Sequence, residues 1–329
     1  MPGLLIKGVT WGTLGLAFLG IAAAPLGLHC SFIERLTHVR FYWIGTLLGL
    51  LIWWAVRKRW LPALVAVALL LAALPAVLRY YRSGGVSTGS GTPLVVGSWN
   101  VHSSNPERER GLTWLKDCPA DVLLLTEVNP GWVKYLKEAS ARWPHQICEP
   151  RHGAAGIWLL SRWPLSQVEP AGISRGEERP WIGCTVETPF GNVRVMGMHP
   201  RTPRGGYRFH ERNAQLDRAA DFAAFAAGPV VVLGDFNCTP FSPWFDRLLE
   251  RGRLCDAAMG HGLAPTWQSG IWVLPIDHIL TGGPLNVLDW QVHGDNLGSD
   301  HSPVMATLTW SQEVGAHLGK PVPTPAVRP

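Results

Sequence analysis

The chain has 329 residues, enough for one large domain or two small ones, and carries a net charge of +5 that is spread too thinly to form a nucleic-acid stripe by itself. Its six cysteines include no C-x-x-C pair, which argues against a zinc ribbon or a thioredoxin-type motif. The hydrophobic fraction of 47% hides a split, with residues 1–81 strongly apolar and the remainder composed like an enzyme.

Residues 8–28, 41–56 and 61–78 hold no charged side chain. A helix of about 20 apolar residues spans a hydrocarbon core of roughly 30 Å. The second run is short for a span, but Arg40 and Arg57 are placed to snorkel at its ends. The expectation is therefore a membrane anchor of three transmembrane helices over residues 1–81. Two other readings stand beside it. The runs are also compatible with buried helices of a soluble bundle. The first run also fits a cleaved signal peptide, with Lys7 as its basic flank and Ala22 to Ala24 as its cleavage region, although Pro25 disfavours cleavage. Loop charges tie, with Lys7, Arg57, Lys58 and Arg59 on one side and Arg35, Arg40, Arg79 and Arg82 on the other. The tight Arg57-Lys58-Arg59 hairpin tips the balance toward a cytoplasmic hairpin. This predicts a multi-pass cell-membrane protein whose large domain lies outside the cytoplasm.

Residues 82–93 read as a flexible Gly/Ser linker, and residues 311–329 as a disordered Pro-rich tail. Between them, 94–310 should form one domain. Strands are expected at 94–99, 121–126, 155–160, 229–233, 276–280, 286–292 and 303–309, with a hairpin of 181–187 and 193–198 turning at 189–192. Helices are expected at 112–116, 130–142, 208–227 and 243–251. This mixture suggests an α/β sandwich.

Polar residues recur where the apolar strands end. Asn100 follows LVVGSW, Glu127 follows DVLLLT, and His199 follows VRVMGM. Asp235 and Asn237 follow VVVLG, Asp277 and His278 interrupt PIDHIL, and Asp300 and His301 precede SPVMATL. Singly, each is more often a turn or cap than a catalytic group. Together they supply one coherent set for phosphate-ester hydrolysis. Carboxylates bind a hard cation such as Mg²⁺. A separate Asp deprotonates water, and His holds a phosphate oxygen or protonates the leaving group. H-E-x-x-H and Walker loops are absent from the sequence, and the Gly-rich Gly84 to Gly91 stretch lies in the linker, not between a strand and a helix.

The pieces SWNVH, LLLTEVN, GIWLLSRWPL, GMHPR, VVLGDFNCTP, PIDHIL and GSDHSPV, in this order, resemble the endonuclease/exonuclease/phosphatase superfamily. That superfamily includes DNase I-like nucleases, sphingomyelinases and inositol polyphosphate phosphatases. The TPFSPWF and TWQSGIWVLPIDHI runs resemble its membrane branch. The resemblance covers about 94–310 and implies a four-layer sandwich of two mixed β-sheets flanked by helices, here preceded by the three transmembrane helices. It implies Mg²⁺, with Mn²⁺ as a substitute. It makes Glu127 the principal metal ligand, with Asn100 beside it and Asp300 near a second ion. Asp235 would activate water, and Asn237 would orient the water or the phosphate. His301 would contact the phosphate, polarised by Asp277, and His199 would assist the leaving group. MHPR replaces the commoner Thr-His-Leu, which leaves the leaving-group pocket open.

The leading expectation is a phosphoesterase acting at the membrane on a lipid-linked phosphate. Arg201 and Arg204, in the Arg-rich stretch around Gly205-Gly206, would clamp a second phosphate. The bland reading is that these arginines pair with Glu211 and Asp217. The alternatives are a surface nuclease, with nucleic acid not favoured as partner, and a catalytically inactive membrane binding domain.

Overall fold

The computed structural model describes residues 2–82, 92–169 and 179–311, with side chains from residue 5 onward. The expected linker and Pro-rich tail lie almost wholly outside those residues.

The apolar N-terminal part folds as α1 (Pro2–Ile21), α2 (Ser31–His38), α3 (Arg40–Val56) and α4 (Trp60–Leu78). The expected three transmembrane helices are not found. Among the described residues, α4 alone is long and apolar enough to cross a membrane. Helices α2 and α3 meet that test only as a pair, and they are bent by 70° at their junction. The apolar stretch of α1, Leu5–Ile21, is too short. Pro25 sits in a 3-10 turn, Ala24–Leu28, where its missing N–H and fixed ring stop any continuation of α1. Gly27 in that turn lies so close to α2 that a Cβ would come within 3.0 Å of Glu34 Cα. The multi-pass location falls with the three spans. One candidate span, or two at most, leaves the loop-charge count without the frame that placed the large domain outside the cytoplasm.

Leu14, Ala17, Leu47, Trp54, Ala66 and Ala73 are buried among these helices, while Leu5, Val9, Ile52, Trp60, Leu61 and Leu64 are exposed. The helices also dock on the remainder of the chain. The fully buried Tyr80 donates its hydroxyl to Asp256 Oδ2 at 2.9 Å, and its carbonyl accepts from Gly260 N and Gly262 N. Arg79 pairs with Asp246 at 2.8 Å. Arg40, expected to snorkel, is instead buried with its guanidinium 5.2 Å from the centre of the Phe241 ring.

The second part opens with β1 (Leu94–Asn100), α5 (Arg108–Asp117), β2 (Val122–Thr126), α6 (Pro130–Leu136), β3 (His145–Glu149), β4 (Ile157–Ser161) and β5 (Leu165–Ser166). Then come β6 (Trp181–Thr188), β7 (Gly191–Met198), α7 (Gly206–Ala224), β8 (Val230–Asp235) and α8 (Pro243–Gly252). It closes with β9 (Leu254–Asp256), β10 (Trp267–Ser269), β11 (Trp272–Leu274), β12 (Asp277–Gly282), β13 (Leu285–Val292) and β14 (Val304–Trp310). Two six-stranded sheets run in the orders β13-β14-β1-β2-β4-β3 and β5-β6-β7-β8-β12-β9. Both are mixed, because β1 is parallel to β2 and β7 to β8 while their other neighbours are antiparallel.

The central strands are apolar on both faces, as strands covered on both sides must be. Val96, Leu124, Val195, Leu233 and Ile279 fill the space between the sheets. The outer face of the first sheet packs under α5 and α6 through Trp99, Leu125 and Trp132. The second packs under α7 and α8 through Met196, Val232, Phe245 and Leu216. Each fully buried Leu or Val contributes about 1.5–3 kcal/mol. Helix starts follow local chemistry: Asn129 and Ser242 cap α6 and α8 by accepting from Trp132 N and Trp244 N, each followed by a proline. The expected sandwich of two mixed sheets between helices is therefore present. Its strand register sets Asp277 opposite Asp235 and brings the ends of β1, β2, β7 and β8 to one edge.

Candidate active site

That edge opens into a cavity of about 580 Å³ lined by Glu127, His199, Asp235, Asn237, Asp300 and His301, with Arg35, Arg179 and Arg204 also in its walls. Asn100 is the buried hub. Its Nδ2 donates to Glu127 Oε1 at 3.2 Å and to Asp235 Oδ2 at 3.1 Å, so one amide bridges two carboxylates from different sheets. Glu127 and Asn237 both have left-handed backbones, with φ of 61° and 49°. Non-glycine residues held there mark sites where the surroundings over-determine the backbone. Gly234 stands just before Asp235 at φ 143°, and a Cβ on it would lie 1.9 Å from Met198 O. Only glycine allows β8 to run that close to β7 and still deliver Asp235 to the cavity.

Asp235 is buried and takes Asn237 N on Oδ1 at 2.9 Å, with His199 Nε2 at 3.3 Å and His301 Nε2 at 3.6 Å from Oδ2. Burial alone would raise its proton affinity, but His301 and His199 outweigh that and hold it below the usual carboxylate range. His301 Nδ1 lies 2.8 Å from Asp277 Oδ2. Burial opposes the imidazolium, yet Asp277 and Asp235 together lift His301 to about 10. Asp277 is pushed above its ordinary value by burial, against the pull of His301 and with the help of Asp235. Its Oδ1 is buried without a hydrogen-bond partner.

Arg179, which carries no motif in the sequence, lies with His199 and completes the site. Its Nη1 is 3.1 Å from His199 Nδ1, and the same guanidinium bonds Ala154 O. A guanidinium has no acceptor, so Nδ1 must accept and the ring proton sits on Nε2, facing Asp235. Asp300 accepts from Trp267 Nε1 at 2.9 Å and is half exposed. Asn237 Nδ2 donates to Pro200 O at 3.0 Å.

The two arginines expected to bind substrate part company. Arg204 lines the cavity. Arg201 pairs with Glu211 at 3.0 Å and is not among the described lining residues. The bland pairing with Asp217 does not form there, because Asp217 is held by Arg247 and Arg251.

The donors fit a hard divalent ion. Ligand atoms of Asp235, Asp277 and His301 lie within 4.8 Å of one another in a buried group, in which the protonated His301 leaves the carboxylate oxygens as the donors to a cation. Glu127 adds a further carboxylate on the same amide, and Asp277 Oδ1 has no partner to displace. Oxygen-rich donors of this kind suit Mg²⁺ or Mn²⁺.

The family described as Endonuclease/Exonuclease/phosphatase matches residues 97–301, more than half of the chain. This chain belongs to that family. Its catalytic fold and buried Asp/Asp/His cluster make it a Mg²⁺-dependent phosphoesterase, with Mn²⁺ able to serve. No curated protein matches the chain. Among solved structures it is similar to Danio rerio TDP2 complexed with single strand DNA product, at 19% identity and TM-score 0.54 over 67% of this chain and 100% of that one. It is also similar to the 3' phosphatase NExo from Neisseria bound to a product DNA hairpin, at 23% identity and TM-score 0.54 over 66% of this chain and 100% of that one. A third similar structure is an AP endonuclease from Archaeoglobus fulgidus, at 17% identity and TM-score 0.52 over 65% of this chain and 98% of that one. Neither the family match nor these structures support a membrane-anchored branch.

Proposed function

We propose that this chain hydrolyses a phosphate ester of nucleic acid. The preference for a membrane-bound, lipid-linked substrate is given up. It rested on the three-span anchor, and of the similar structures two are described with DNA and one as an AP endonuclease. The observation that carries the chemistry is Asp235 set between His199 and His301 at the wall of an arginine-flanked cavity.

In this reading Glu127 would hold the metal, with Asn100 beside it and Asp300 near a second position. When bound, the ion would offset charge on the phosphoryl oxygens and leaving group. Asp235, ionised at neutral pH, takes a proton from the attacking water as the new O–P bond forms, and Asn237 orients that water. His301, kept protonated by Asp277, holds a non-bridging phosphate oxygen. His199, neutral with its proton on Nε2, donates a hydrogen bond to the leaving oxygen as the P–O bond breaks, and solvent water supplies the proton that the departing oxygen takes up. Arg179 fixes the tautomer that makes this hydrogen bond possible, and Arg204 faces the substrate from the cavity wall.

The test is a substrate comparison with the full chain and Mg²⁺. A labelled single-stranded oligonucleotide and a polyprenyl pyrophosphate in detergent micelles are supplied at equal bulk concentration. The reading predicts faster cleavage of the oligonucleotide, with affinity falling as salt rises. Faster release of phosphate from the lipid overturns it.

A further inference from the structure

We infer that α2, outside the family-matched region, is a wall of the catalytic cavity and that Arg35 on it binds a second, non-scissile phosphate of the substrate. The inference rests on the phosphoesterase reading of the cavity and adds a subsite to it. Arg35 lines the cavity, is exposed, and makes no ion pair or hydrogen bond with any described residue. Arg204 in the same wall also faces the cavity, while three other cations nearby are committed: Arg179 to Ala154 and His199, Arg212 to Glu34 and Asn237 O, Arg201 to Glu211. A cation facing an anion-handling cavity with no internal partner is available to one supplied from outside.

The position of Arg35 is set by its neighbour. Glu34 is fully buried and accepts from Arg212 Nη2 at 2.5 Å and from Ser242 Oγ at 2.7 Å, with His38 Nε2 3.2 Å away. His38, one turn further on, lines the same cavity and meets Thr239, two residues past Asn237, at 3.0 Å. Arg35 is thus carried on a helix pinned at both flanks to the loop that bears Asp235 and Asn237, and it needs little ordering when substrate arrives. A guanidinium suits this task because it meets phosphate oxygens in a fork and keeps its charge at any working pH.

The test uses the full chain with Mg²⁺ and bis(p-nitrophenyl) phosphate as a generic diester. Inhibition by thymidine 3′,5′-bisphosphate is compared with inhibition by thymidine 5′-monophosphate. The wild type should bind the bisphosphate more tightly. Arg35→Ala should cut that advantage by roughly tenfold or more, the scale of one lost charge-assisted hydrogen bond. Arg35→Lys should keep part of it, and Arg110→Ala, remote from the cavity, should keep all of it. An equal advantage in wild type and Arg35→Ala, or no advantage in the wild type, overturns the inference. Loss of the advantage in Arg35→Ala together with failure to cleave oligonucleotides upholds the subsite and rejects nucleic acid as the substrate.

Discussion

Glu34 of α2 and Arg212 of α7 form an ion pair with both side chains fully buried, and Arg212 reaches on to the carbonyl of Asn237 at 3.2 Å. Through that one guanidinium, an N-terminal helix is joined to the loop that presents Asp235 and Asn237. Removing one member of a buried pair strands the other charge and typically costs about 3–5 kcal/mol. Glu34→Gln should lower unfolding stability on that scale at pH 7, measured by urea titration. Burial opposes ionisation of Glu34, but His38 and Arg212 outweigh it and set its folded-state proton affinity well below the ordinary carboxylate range. Its contribution is therefore complete above the unfolded carboxyl value of about 4.3 and is lost as pH falls below it toward the folded value. The stability gap between wild type and Glu34→Gln should narrow across that acid range. A gap that stays constant would show that the pair is not the source.

Asp277 lifts His301, so Asp277→Asn should move the alkaline limb of activity to lower pH. Burial already disfavours the imidazolium, and with Asp277 neutralised only Asp235 is left as the strong raising partner. The cationic His301 would then be lost earlier as pH climbs from 7 toward the wild-type value of about 10. The check is a pH profile of kcat/KM for both proteins. Superimposable alkaline limbs would remove His301 from the phosphate contact.

Arg179 holds His199 through Nδ1. Arg179→Ala frees the ring to adopt either tautomer, and the rate should drop by about 10²-fold or more, the scale of one lost hydrogen-bond donor to a developing oxyanion. The loss should be smaller for substrates whose leaving oxygen develops little charge. Comparing an alkyl with a p-nitrophenyl leaving group tests this, and equal losses on both would mean that Arg179 acts elsewhere.

The central fold was legible because its signals are local. Apolar runs such as VLLLT and VVVLGD stop at Glu127 and Asp235, and parallel pairing carries those ends to one edge. β3 was missed because HQICE is half-exposed and polar, and only its pairing to β4 makes it a strand. β10 and β11 are three-residue strands whose hairpin is braced from outside, with Ile271 O and Val273 N both bonded to the Tyr42 hydroxyl. Arg179, Arg35 and His38 have no motif spacing and reach the cavity only through tertiary docking. The N-terminal runs were misread for a related reason. Absence of charge says how apolar a segment is, but not that Pro25 ends α1 or that the chain turns by 70° between α2 and α3.

The most direct measurement is metal reconstitution on a labelled single-stranded oligonucleotide. The full chain is stripped with chelator and assayed before and after addition of Mg²⁺ or Mn²⁺, beside Asp235→Asn, in which the proton acceptor between His199 and His301 is replaced by an amide. The predicted result is no cleavage without metal, recovery with either ion, and a loss on the order of 10²–10⁴ in rate for Asp235→Asn. Cleavage that survives chelation, or an Asp235→Asn variant that turns over at the wild-type rate, would contradict the account.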